Sequence, residues 1–414
     1  RSRERSRERS RERSRERGRE RGRERSRERR ERSRSADRPA SWRNDGATTR
    51  DRGERRHDEQ AGSGALGGAV ERHYDSQASA TQSRAEAMHV RNQGTLINYK
   101  RFANAVKRRM IQEYAGSTLV DVGCGRGGDI SKWRDANVRR VIALDLSAAQ
   151  LEEARRREAQ DRGKGGGGRG GGGRGGGAKG GGANTDIEWC HRSMLAPGLA
   201  AEVGPRVPGA ADSVTAQFAV QYAFDSEGTA STLLGEVASL LREGGVFFGA
   251  APDAAAIVAL LRSKAADPPA EGSVADERSL SLTPPATPFA LQLRLLTAIG
   301  ASAATSAEVA APRPSPQQSS ASVAEFGAEL VFSLEDTVTA GSGESECTEF
   351  LLYRDTLTRL AAAHGLQPIE MGSLADARAT GRAGPLTPSE RLVAELYFVF
   401  AFRKEGSSDS TRLN

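Results

Sequence analysis

The residues best suited to chemistry lie in Val120-Asp121-Val122-Gly123-Cys124-Gly125-Arg126-Gly127-Gly128-Asp129, followed by Ile130-Ser131-Lys132-Trp133. Glycines let a backbone turn sharply and approach a bound group closely, and each costs backbone entropy that a turn without a ligand would not need. The order Asp-x-Gly-x-Gly-x-Gly-Gly-Asp differs from the Gly-x-Gly-x-x-Gly fingerprint of dinucleotide sites, so S-adenosylmethionine is the better ligand. Asp145 closes the next apolar run, Val141-Ile142-Ala143-Leu144. A carboxylate there can hold a ribose diol through a bidentate hydrogen bond. It could also merely cap the following helix, with Ser147 sharing that task.

The elements that must position these groups read as alternating strands and helices. Thr118 to Val122 is a short apolar run ending at the glycines, as a buried parallel strand would be, and a helix should start at Ile130. Further strands are expected at 138–147, 187–190, 211–220 and 246–253, with helices at 148–157 and 231–242 between them. Such alternation gives an α/β fold, a Rossmann-like doubly wound, mostly parallel sheet with right-handed crossovers. Before it, residues 70–75 and 91–114 look helical. In the second segment Leu96, Phe102, Val106, Met110 and Ile111 fall near a 3.6 period, with Lys107, Arg108 and Arg109 beside them. That helix runs directly into the ligand strand, so one lysine could reach a bound carboxylate or phosphate. After the fourth strand, Gln221-Tyr222-Ala223-Phe224 is an aromatic, polar end of the kind that builds a pocket. A strand at 326–334, a helix at 348–364, a variable loop and a strand at 396–402 complete the expected order.

The chain has 414 residues, is 37% hydrophobic and only 5% aromatic, and carries a formal charge of +7. That length allows several domains, but the low-complexity stretches cannot bury a core, so one catalytic domain is expected, at 69–404. Residues 1–68 begin with Arg-Ser-Arg-Glu repeats and read as a disordered tail and linker. Flexible insertions are expected at about 161–184, which is nearly all glycine with Lys164, Arg169, Arg174 and Lys179, and at about 264–322, which is rich in Ala, Ser and Pro apart from a candidate strand at Phe289 to Leu293. Residues 405–414 read as a polar tail. The net charge favours a polyanionic partner, with nucleic acid the obvious candidate. Cys124, Cys190 and Cys347 lack metal spacing, so no metal is expected and a reducing compartment is. No run approaches the length of a membrane span and no signal peptide is readable, so a soluble intracellular chain without membrane contact is expected.

Several segments together resemble the eukaryotic mRNA cap guanine-N7 methyltransferase family. They are the glycine turn with Lys132-Trp133, then Gln217-Phe218-Ala219-Val220-Gln221-Tyr222-Ala223-Phe224, and then Pro252-Asp253. Phe326-Gly327 leading to Phe332-Ser333-Leu334, Thr348-Glu349-Phe350-Leu351, and the closing Tyr397-Phe398-Val399-Phe400-Ala401-Phe402 follow in the same order. The glycine motif alone says methyltransferase, and the later motifs say cap.

The resemblance implies a class I S-adenosylmethionine-dependent methyltransferase that modifies guanine N7 of the GpppN cap in the nucleus. On the donor side it implies Lys107 at the methionine carboxylate, Gly123 and Asp129 in the turn, Asp145 at the ribose, Ser193 near the adenine, and Gln217 with Tyr222 beside the methionine. On the acceptor side it implies Asn104, Gln221, Tyr222, Pro252, Glu349 and Tyr397 around guanosine, and Arg126 and Arg157 at the cap phosphates. Tyr222, Glu349 and Tyr397 would act by positioning, with no general acid or base. Capped RNA is the implied partner, with other capping enzymes or the transcription machinery as further candidate partners, and a monomer is expected. The chain departs from the family pattern at three places. Ala103-Asn104-Ala105 replaces Asn-Asn-Trp, Gln221 replaces a histidine, and Ser193 replaces an adenine-binding aspartate. A class I methyltransferase with another acceptor, or a cap- or RNA-binding scaffold without turnover, are the alternative readings.

Overall fold

The computed structural model describes residues 68, 70–76, 94–165, 185–265, 279–282, 287, 289–296, 323–334, 348–381 and 383–406. The expectations for residues 1–67, for 166–184 and for 407–414 fall outside these.

Helix α1 (Ile97–Tyr114) turns Tyr99, Ala103, Val106, Met110 and Ile111 inward and leads into β1 (Thr118–Val122). Then come α2 (Ile130–Asp135), β2 (Arg140–Asp145), α3 (Ala148–Gly165), β3 (Asp186–His191), α4 (Leu199–Val203) and β4 (Ala211–Gln217). A short 3-10 turn (Val220–Ala223), α5 (Glu227–Leu240), β5 (Leu241–Pro252) and α6 (Ala254–Ala265) follow. The second half contributes β6 (Ser279–Leu282), β7 (Leu291–Leu295), β8 (Glu329–Leu334), β9 (Thr348–Phe350), α7 (Arg354–Ala363), β10 (Leu366–Ser373), α8 (Pro388–Glu395) and β11 (Tyr397–Lys404).

The main sheet has the order β10-β11-β5-β4-β1-β2-β3. Strands β1 to β5 pair in parallel, while β11 is antiparallel to both β5 and β10. The chain winds outward from β1 to β3, then crosses to β4 on the other side. The carboxyl ends of β1 and β4 therefore flank the switch point where open α/β sheets bind ligands. Period-2 alternation fills both faces: Tyr397, Val399 and Ala401 join one apolar cluster, and Phe398, Phe400 and Phe402 join the other. The expected doubly wound, mostly parallel sheet is what forms.

Three local expectations are corrected. The stretch 264–322 holds more than the strand expected at 289–293, which forms as β7, because β6 also pairs antiparallel with it within a second sheet of order β6-β7-β8-β9. Leu291, Leu293 and Leu295 alternate inward with Gln292 and Arg294 outward, and the buried Phe289 precedes them. Thr348–Phe350 is not the start of a helix. It pairs with β8, Leu330 opposite Glu349, and the helix begins only at Arg354. This cross-strand pairing overrides local helix preference. The supposed variable loop before β11 holds β10 and α8, which starts with a Thr387/Glu390 capping box and a proline in its first turn. Among the described residues no helix is long and apolar enough to cross a membrane.

Candidate active site

The turn after β1 owes its shape to Gly123, whose φ of 101° lies where side chains are strained. A Cβ on Gly123 would also come within 2.7 Å of Ala219 Cβ, so the turn and the residues after β4 approach closely. The amides of Gly123 and Cys124 both donate to the carbonyl of Leu144 (2.9 Å each), tying the turn to β2.

A charge cluster forms at the end of this turn. Asp129 is buried and receives the Lys107 ammonium at 2.8 Å on one oxygen and that of Lys132 at 2.6 Å on the other. Burial alone would raise the Asp129 carboxyl, but these two ammoniums hold it below the usual carboxylate range. Burial pulls the Lys132 ammonium down, with Asp129 opposing and Lys107 adding to the fall. Behind the cluster Asp121 is buried and pushed well up, by burial first and by Asp129 next. Its Oδ1 has no hydrogen-bond partner among the described residues.

Asp145 accepts the Gly125 amide on Oδ2 (2.7 Å) and the Ser147 amide on Oδ1 (2.9 Å). Burial raises its pKa and these two amides oppose the rise. The helix-capping role falls to Ser147, whose Oγ accepts from the Gln150 amide at 3.1 Å. Each Asp145 oxygen keeps a further lone pair for a ligand. Ser193 lies two residues past β3, half-buried, with its Oγ accepting from the Leu195 amide at 3.2 Å.

The acceptor candidates gather where the two sheets meet. Glu349 on β9 is buried, and Tyr222 donates to its Oε1 at 3.1 Å. Burial pushes the Glu349 carboxyl up to about 7, against the hydrogen bonds of Tyr222 and Gln221. Gln221 also donates to the Phe218 carbonyl (3.1 Å). Tyr397 faces Phe332 of β8 at 5.5 Å, Tyr99 of α1 at 6.3 Å and Phe218 edge-on at 5.2 Å. Burial raises its phenol well above the usual value, with Tyr99 and Glu349 adding to it. Pro252 stands opposite Tyr397 in the β5–β11 register. Gln217, at the end of β4, donates to Thr215 Oγ1 (3.0 Å), while its buried Oε1 has no partner among the described residues.

Other expected residues sit further out. Asn104 donates to the Lys100 carbonyl of its own helix (2.8 Å) and is half-buried. Arg157 donates to the Arg126 carbonyl (3.2 Å) and to Glu153 (2.7 Å), and Arg126 reaches Gln150 Oε1 (3.2 Å). These two guanidiniums thus lie side by side along α3, where burial and then Arg157 pull the Arg126 pKa down.

Phe218 carried no expected role and proves central. Its ring lies under Lys107, 5.7 Å from Nζ to centroid, and against Tyr397, so it joins the charge cluster to the aromatic cage. Its φ of 63° is left-handed, a conformation a phenylalanine rarely adopts. Strain of this kind clusters at functional sites, and no sequence signal marks it. Tyr74 was missed for a different reason: it lies far upstream in sequence, yet its hydroxyl is 2.8 Å from that of Tyr222.

Segments of this chain are similar to known proteins. Residues 57–165 and 200–273 match the mRNA (guanine-N(7))-methyltransferase domain. The mRNA cap guanine-N(7) methyltransferase of Saccharomyces cerevisiae (strain ATCC 204508 / S288c) is 30% identical over 165 residues, covering 39% of this chain and 34% of that protein. Its counterpart from Candida glabrata is 30% identical over 165 residues, 39% of this chain and 36% of that protein. The match therefore spans about a third of the length of either yeast relative. The mRNA cap guanine-N(7) methyltransferase 1 of Arabidopsis thaliana is 25% identical over 365 residues, 82% of each chain. In its matched segments the chain is similar to the mRNA cap guanine-N7 methyltransferases.

Proposed function

We propose that this protein transfers a methyl group from S-adenosylmethionine to guanine N7 of the 5′ GpppN cap of mRNA. The observation that carries the reading is the Phe218 ring, which touches a buried charge cluster on one side and an aromatic cage around a buried carboxylate on the other.

The residues present fit the donor. Two ammoniums, Lys107 and Lys132, against the single carboxylate of Asp129 leave a positive balance for an α-carboxylate, and Asp129 can face an α-ammonium. Asp145 has free lone pairs for a ribose diol, and the buried Oε1 of Gln217 is an acceptor lacking a partner among the described residues. When bound, the sulfonium donor supplies an electrophilic methyl on a good leaving group.

Guanine N7 is a lone-pair nucleophile and needs no deprotonation, so the protein's work is alignment. Holding two reactants in line is worth about 7–11 kcal/mol in favourable cases. An ionised Glu349 would accept from the guanine N1 and N2 groups, and its charge would favour the cationic product. Tyr397, Pro252 and Phe218 would wall the base, Tyr222, Gln221 and Asn104 would fix its edge, and Arg126 and Arg157 would meet the phosphates. Action in the nucleus, as a monomer alongside other capping enzymes or the transcription machinery, belongs to the same reading.

The test is methyl transfer to guanosine-capped RNA, followed by nucleoside digestion. We expect N7-methylguanosine. Turnover of small molecules alone would sink the acceptor assignment, and cap binding without donor binding would favour a scaffold.

A further inference from the structure

The helical segment 70–76 bonds to both halves of the candidate site. On the acceptor side, Tyr74 meets Tyr222 hydroxyl to hydroxyl at 2.8 Å, with the rings edge to face at 6.5 Å. A phenol has one proton. That of Tyr222 goes to Glu349, so the bond between the tyrosines runs from Tyr74 to Tyr222. On the donor side, Ser147 Oγ donates to Asp75, and Gln150 Nε2 donates to the Tyr74 carbonyl at 2.9 Å. Ser147 also gives its amide to Asp145 (2.9 Å), the candidate ribose carboxylate. One short helix therefore connects the turn that carries Asp145 with the hydroxyl that feeds Glu349.

We propose that Tyr74 is a positioning residue for the acceptor: its hydroxyl holds Tyr222 on Glu349, and the 70–76 strap makes that alignment depend on the Asp145 turn. The inference rests on the reading that Glu349 holds the acceptor. A hydroxyl that accepts a hydrogen bond becomes a better donor, so Tyr74 strengthens the bond from Tyr222 to the carboxylate. Around Glu349 stand Tyr222 and Gln221 from the 3-10 turn and Tyr397 from β11, with Tyr74 acting through Tyr222. The hydrogen bond from Tyr222 opposes the burial that raises Glu349, so weakening it raises that carboxyl further.

The test compares Tyr74→Phe, Tyr222→Phe and the double variant in the full chain. In Tyr74→Phe the Glu349 carboxyl, followed by carbon NMR, should titrate at higher pH by about half a unit or more. The KM for capped RNA should rise about three- to tenfold, with donor affinity within about twofold of wild type. On the Tyr222→Phe background, adding Tyr74→Phe should change the KM by less than about twofold, because the relay is already cut. An unchanged Glu349 titration, or fully additive losses, would overturn the proposal and leave Tyr74 as packing. If the wild type does not methylate capped RNA, the functional reading fails, while the carboxyl titration still decides the role of Tyr74.

Discussion

Lys107 lies over the ring of Phe218, its Nζ 5.7 Å from the centroid, while the same Nζ is 2.8 Å from Asp129. The lysine thus belongs to both halves of the site: it neutralises the buried acid at the glycine turn and presses on the ring that walls the aromatic cage. A cation held over an aromatic face is attracted by the ring quadrupole, so its position is fixed from two directions.

Replacing Lys107 with alanine should therefore act mainly on the donor. Removing one partner leaves Asp129 with Lys132 alone in a buried setting, and charge-assisted hydrogen bonds are worth about 1.5–3 kcal/mol. We expect donor affinity, measured by calorimetry, to fall at least about tenfold, with cap-analogue affinity changed by less than about threefold. A donor affinity equal to wild type would remove Lys107 from the donor site.

The Glu349 carboxyl, raised to about 7, makes two pH-dependent statements. For activity, protonation removes an acceptor, so kcat/KM on capped RNA should fall as pH drops below about 7, and Glu349→Gln should be slow and lack that limb. For stability, the folded state holds the proton between the ordinary glutamate value of 4.5 and about 7 while the unfolded state does not. Stability then falls as pH rises through that window, by about 3 kcal/mol at most at pH 8. Glu349→Gln should raise Tm relative to wild type at pH 8, and the difference should shrink toward pH 4.5. A pH-independent difference in melting would mean that the carboxyl titrates alike in both states.

Two glycines of the same turn should respond differently to one added methyl group. At Gly123 the φ of 101° and the Ala219 Cβ at 2.7 Å both oppose a side chain, so Gly123→Ala should cost roughly 1–3 kcal/mol and weaken donor binding. A Cβ on Gly128 would meet nothing within 4 Å, so Gly128→Ala should change stability by no more than about 0.5 kcal/mol. Equal thermal shifts in the two variants would contradict this account of the turn.

What could be read from the sequence was local or periodic. The strand–glycine–helix unit, Asp145 at a strand end and the apolar run of β11 all follow from patterns within a dozen residues. The errors arose where distant segments decide. Thr348–Phe350 is a strand because β8 supplies its partner, and β6 holds its place by pairing with β7 in a stretch whose composition suggested a linker. Phe218 adopts a left-handed φ while its amide donates to the Ala250 carbonyl (2.8 Å) and its ring packs on Tyr397, none of which is written near it in the chain. Tyr74 reaches its partner across 148 residues.

Glu390 illustrates the same kind of coupling and yields the last prediction. It completes its own capping box with Thr387, and its Oε1 also accepts the amides of Asn98 (2.9 Å) and Tyr99 (3.1 Å) at the start of α1. Helix α1 has no side-chain cap of its own at Leu96, so this one buried carboxylate serves two helix ends. Burial would raise its pKa, but the amides of Thr387 and Tyr99 lower it. Its stabilisation is therefore present above the ordinary glutamate value of 4.5 and lost as acid takes the pH through the lower folded value. Losing two caps should cost about 2 kcal/mol in Glu390→Ala. Because the first turn of α1 carries Tyr99, which stacks on Tyr397, the same variant should raise the KM for capped RNA. Glu390→Gln keeps a carbonyl acceptor and should recover part of both losses. Wild-type melting in Glu390→Ala would show that α1 starts without it, and the path from Glu390 to the cage would then fall.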